Sequence, residues 1–120
     1  VAEAVAQRLW TVLPDARRLD MAALVVIATL DAKPGREADL ERALEALVAP
    51  THAEAGCRAY VLHRDDAVPG RFVFYERWDG EADLAAHFET PHLKAFLGMA
   101  DDLLAKPLDV VKCTEIAGGA

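Results

Sequence analysis

Two eight-residue runs, CRAYVLHR at 57–64 and RFVFYERW at 71–78, constrain this chain more than any other feature in it. Both are rich in β-branched and aromatic residues, and only DDAVPG lies between them, with Pro69-Gly70 suited to a tight turn. An antiparallel hairpin is the expected result. Strand alternation puts Phe72, Phe74, Glu76 and Trp78 on one face of the second run and Val73 and Tyr75 on the other. In the first run, Tyr60 shares a face with Leu62, and His63 shares the opposite face with Val61. A sheet with aromatics on both faces has to be covered on both.

The flanking segments supply the other layers. AALVVIATL at 22–30 reads as a strand that is apolar on both faces. From Arg36, Leu40, Ala43, Leu44, Leu47 and Val48 recur at helical spacing, and Pro50 is expected to end that helix. Helical spacing returns after Asp79-Gly80 with Leu84, His87 and Phe88. It breaks at Thr90-Pro91, a natural N-cap followed by a first-turn proline, and resumes through Leu93, Phe96, Leu97, Ala100 and Leu104. PLDVVKCTEIA at 107–117 alternates as a last strand. Before all of these, Val1, Val5, Leu9, Val12 and Leu13 form one helical stripe.

The order is helix, then βαββαβ: an α+β chain of the ferredoxin-like type, with an N-terminal helical extension over 1–20 and one domain over 21–120. Such a sheet runs in the order 4-1-3-2, which puts Cys57 and Cys113 on opposite edges as two free thiols, each expected to be a small buried hydrophobe. One layer of helices covers one face only. A second copy of the sheet is the economical cover for the other, so a homodimer is expected.

Thirteen basic and 20 acidic side chains give a formal charge of -7, with no basic run, so neither nucleic acid nor an anionic membrane is an expected partner. The run MAALVVIATL is too short to cross a bilayer, and no charged-then-apolar leader opens the sequence; a soluble, cytoplasmic protein is expected. Asn and Ser are absent altogether, which rules out a serine nucleophile. The glycines are scattered in turns, so no phosphate-cradling loop supports a flavin or nicotinamide cofactor. His87 and His92 stand five apart across a helix break, where a shared helical face needs three or four, so no metal site is expected.

Chemistry-bearing residues remain around the second hairpin strand. His87 lies on the inward stripe with Leu84 and Phe88; it could take a proton from a substrate, or be a buried histidine bonded to a backbone carbonyl. Trp78 and Glu76 share a strand face with Phe74: an aromatic wall with a carboxylate that orients a histidine or accepts a substrate hydroxyl, or else core plus an ion pair. Tyr60 could donate to a substrate oxygen or simply satisfy its hydroxyl across the sheet. Phe74, Phe88 and Phe96 would add apolar wall, and His92 would contribute only if the pocket opens at the first turn after Pro91. His52, in a connection, is expected to be exposed.

Glu54, Gly56-Cys57, Tyr60, Glu76-Arg77-Trp78, His87 and Thr90-Pro91-His92, spread over roughly 22–116, resemble the antibiotic biosynthesis monooxygenase family. The resemblance implies a dimeric α+β barrel with a pocket between sheet and helices in each subunit. It also implies oxidation by O2, without cofactor, of a small electron-rich aromatic such as a quinol or an anthrone-like polyketide, with His87, Trp78 and Glu76 catalytic and Tyr60, Phe74, Phe88, His92 and Phe96 around the substrate. Relatives also include haem degraders, which use an Asn that this chain lacks, and an isomerase of a phosphorylated metabolite. An isomerase, or a binding protein without turnover, is the competing expectation. Inward Arg or Lys would favour the phosphorylated substrate.

Overall fold

A computed structural model describes residues 23–118. The helix expected over 1–20 lies outside the described residues. The elements are β1 (Leu24–Asp31), α1 (Glu37–His52), β2 (Cys57–Arg64), β3 (Arg71–Trp78), α2 (Glu81–Phe88), α3 (Pro91–Leu103) and β4 (Asp109–Thr114). The antiparallel sheet runs β2-β3-β1-β4, the expected ferredoxin-like order.

The hairpin forms because Asp65 closes its turn: its Oδ1 accepts from the backbone N–H groups of Ala67 and Val68, and Gly70 takes φ +81°. Pairing then fixes register across three strands. Val26 and Tyr60 flank Glu76 from either side, and Ala28 and Leu62 flank Phe74. The face that carries these residues is buried under α1 and α3 in one core with Leu40, Leu44, Leu47, Leu93 and Phe96. At the strand end, Arg71 grips Asp31 through two hydrogen bonds of 2.7 and 3.0 Å, which holds the Asp31 carboxyl below its ordinary range.

A β-bulge at Arg58 decides which way Tyr60 points. Cys57 faces Trp78 and Ala59 faces Arg77, so Arg58 is the extra residue; without it, Tyr60 would fall on the opposite face of the sheet. Arg58 is anchored there by an ion pair with Asp79.

Three expectations need correction. Pro50 does not end α1, which runs on to His52. A proline lacks one N–H and so removes one backbone bond, and in the last turn Ala53 and Glu54 still donate to Pro50 and Thr51. Neither cysteine is fully buried: Cys57 is half-buried and Cys113 is exposed on the edge strand β4, although both are free as expected. His52 is exposed as expected, but it ends α1 instead of lying in a connection, and its Nε2 meets the Tyr60 carbonyl at 3.0 Å.

Candidate active site

α2 is brought to the sheet by the turn after Trp78. The Asp79 N–H donates to the Gly56 carbonyl at 2.8 Å, and Gly56 sits at φ +82°, where an added Cβ would lie 2.3 Å from the Asp83 side chain. This close approach sets the first turn of α2 against the loop that precedes β2. One turn further along α2, His87 points inward with 2% exposure. Its ring lies 4.8 Å from that of Trp78 and edge-on to Tyr60 at 5.4 Å.

That same loop carries Glu54, whose Oε2 meets His87 Nδ1 at 2.8 Å and His92 Nε2 at 2.7 Å. A carboxylate can only accept, so the His87 proton resides on Nδ1 and the lone pair on Nε2 is left for the cavity. Burial pulls the His87 pKa below its ordinary value against the opposing pull of Glu54, so the ring is neutral and basic near neutral pH. His92 reaches Glu54 because α3 begins afresh at Pro91 under the Thr90 cap, whose hydroxyl accepts from Leu93 N. The break that separates the two histidines in sequence is what turns them towards one carboxylate.

Beside His87 lies a cavity with about 430 Å³ of free space, mouth included. Only about 30 Å³ of it is open to the centre of a water molecule, room for about two waters. Tyr60, Phe74, Glu76, His87, Phe88 and Phe96 line it, with aliphatic side chains from β1 and α1 completing the wall. Of the lining side chains, Phe88 is partly exposed and Leu97 is exposed. Among the described residues lining it there is no Lys or Arg.

Glu76 is 4% exposed, and its partner is not an arginine: Trp78 Nε1 donates to its Oε1 at 2.8 Å. Burial pushes its carboxyl up to about 7, against the indole bond and with help from the negative charge of Glu54. Burial likewise raises the Tyr60 phenol far above its ordinary value, so it stays protonated.

The site residues thus fall into two groups. Tyr60, Phe74, Glu76, His87, Phe88 and Phe96 meet at the cavity, whereas Trp78 is fully buried behind it as the support of Glu76 and His87. His92 stands outside the wall and acts on it through Glu54. Glu54 is the residue that periodicity could not assign, because it sits in a loop 33 positions from His87; its only signal was its place in the family resemblance, beside Gly56-Cys57. The spacing argument against a metal also fails in space. Glu54, His87 and His92 offer donor atoms within 4.8 Å of one another, a set that could ligate a cation, although both nitrogens meet the same oxygen at hydrogen-bond distance.

Residues 23–98 match the family model described as antibiotic biosynthesis monooxygenase. "Putative monooxygenase YcnE" of Bacillus subtilis is 33% identical over 94 residues, 78% of this chain and 98% of that protein. "Probable quinol monooxygenase YgiN" of Escherichia coli is 36% identical over 84 residues, 61% of this chain and 80% of that one. The chain spans 59% of the length of sll1783, an uncharacterised Synechocystis protein to which it is 31% identical. The crystal structure of PA3566 from Pseudomonas aeruginosa superposes with a TM-score of 0.76 at 38% identity, over 80% of this chain and 96% of that one.

Proposed function

The chain belongs to the antibiotic biosynthesis monooxygenase family, and from that premise we propose that it oxidises an electron-rich aromatic, a quinol or an anthrone-like polyketide, with O2 and without cofactor. The observation that carries this reading is a buried imidazole, held through Nδ1 by a carboxylate, at the wall of a largely apolar, aromatic-lined cavity. For an anthrone-like ring, His87 Nε2 takes the proton from the reacting carbon and leaves an enolate. The enolate passes an electron to O2, and the two radicals combine into a peroxide anion on that carbon. His87 returns its proton to the peroxide, which loses water to leave the ketone. One oxygen atom remains on the ring, the other leaves as water, and the histidine ends as it began. Tyr60, Phe74, Phe88 and Phe96 hold the ring, and Trp78 holds Glu76 and His87 in place.

The absence of Lys and Arg from the described lining speaks against a phosphorylated substrate, while a proton-shifting isomerase of an uncharged metabolite would use the same histidine. Oxygen consumption separates the two. With dihydroxynaphthalenes or anthrones under metal-free conditions, wild type should take up O2 and form quinone, and His87→Ala should lose roughly 10²-fold or more in kcat with its fold intact. Equal rates would remove the histidine from the mechanism. No oxidation above the spontaneous background would sink the oxygenase reading.

A further inference from the structure

Glu76 is an unusual carboxyl for its surroundings. It lies on β3, one of the two inner strands, on the face that meets the helices, and opposite Tyr60 and Val26. Oε1 takes the Trp78 N–H, and no other hydrogen bond reaches the carboxyl among the described residues. The titratable groups that face it are Glu54 from the loop before β2, Tyr60 and Cys57 from β2, and His87 from α2, with His92 behind Glu54. None of these is a fixed cation. β1, α1 and α3 present only apolar side chains to the cavity. A buried carboxylate without a cation is costly, and protonation is the cheapest relief.

We propose that Glu76 works in its neutral form, donating an O–H hydrogen bond from Oε2 to a carbonyl or enolate oxygen of the bound ring while His87 acts on a proton elsewhere in the same cavity. The indole fixes which oxygen carries the proton: a carboxyl that accepts an N–H on Oε1 keeps its hydrogen on Oε2. The arrangement deepens the oxygenase reading by naming what the substrate must offer. It must carry an oxygen with a free lone pair and negative charge that grows as His87 takes its proton, which describes an anthrone or quinol anion and excludes phosphate and carboxylate groups. A protonated acid in an apolar pocket stabilises such an oxyanion without a metal or an arginine. The raised carboxyl value of about 7 agrees with this placement.

Two readouts test it, and neither involves oxygen uptake, so failure of the oxygenase reading leaves them interpretable. Infrared difference spectra between wild type and Glu76→Gln should show the carbonyl stretch of a protonated carboxyl at pH 6 and its loss at pH 9, on either side of that value. The second readout is binding of 2,3-dimethyl-1,4-naphthoquinone, which has carbonyl acceptors, no proton of its own and no open position for a thiol, followed by tryptophan fluorescence. Wild-type affinity should fall roughly tenfold from pH 6 to pH 9, the worth of one hydrogen bond. Glu76→Gln keeps an N–H donor and should bind with no pH dependence; Glu76→Leu should bind weakly at both. A missing protonated-carboxyl band at pH 6 overturns the proposal. So does a wild-type affinity that holds or rises above neutral pH, a Gln variant as weak as the Leu variant, or no binding of the quinone at all.

Discussion

Glu76 links the chemistry of the site to the stability of the protein. Its folded value of about 7 lies above the ordinary 4.5, so between those two values the folded state holds a proton that the unfolded chain has released. Stability from this group is therefore present below about pH 4.5 and is lost as pH rises through 7, by up to roughly 3 kcal/mol for a shift of this size. Urea unfolding should show Glu76→Gln close to wild type at pH 5 and more stable at pH 8.5, a sign opposite to that of a salt-bridged carboxylate. His87 contributes in the other direction, since its lowered value costs stability as the medium turns acid, but it does so in both proteins and drops out of the comparison. The inward position of His87 and the shared face of Glu76 and Trp78 could be read from spacing alone. Glu54 could not, because periodicity is silent in a loop and the hydrogen bonds that define its role join residues 33 and 38 positions apart.

Strands and helices were readable because hydrophobic period changes sharply from two to 3.6 along this chain, and the Thr90-Pro91 cap was readable from its residue types alone. What escaped was the bulge at Arg58, which has no composition signature yet turns Tyr60 into the cavity. The end of α1 escaped too, since a proline in a last turn costs only one bond. Gly56 tests how strictly these joints are set. At φ +82° with Asp83 at 2.3 Å from a Cβ, Gly56→Ala must strain the backbone and push α2 away from the Glu54 loop. The variant should lose about 2 kcal/mol in chemical denaturation and lose kcat beyond what its folded fraction explains, because the His87–Glu54 bond lengthens. A variant with wild-type activity per folded molecule would show that α2 is positioned by its core contacts instead. Gly35, also at positive φ but with open space around it, is the control: its Ala variant carries backbone strain without a clash.

Among the described residues the helices cover one face of the sheet, and the core they form with it contains none of Val25, Ile27, Val73 or Tyr75 from the other. Val61 and Val111 on that second face are each 46% exposed among the described residues. We expect a homodimer built on that face, seen as a single species of twice the chain mass in sedimentation at micromolar concentration, and Tyr75→Glu should dissociate it while leaving the cavity lining intact. A well-folded wild-type monomer would disprove the arrangement. Mass spectrometry after denaturing alkylation should count two free thiols, as the opposite-edge positions of Cys57 and Cys113 require. The inner face has its own consequence. Its cavity is walled mostly by hydrocarbon, and small apolar recesses of this kind take up xenon; dioxygen is a still smaller apolar solute. Under the proposed oxygenase reading O2 would partition from water into the same recess, so xenon pressed into crystals should bind in this cavity and slow turnover by competing with oxygen.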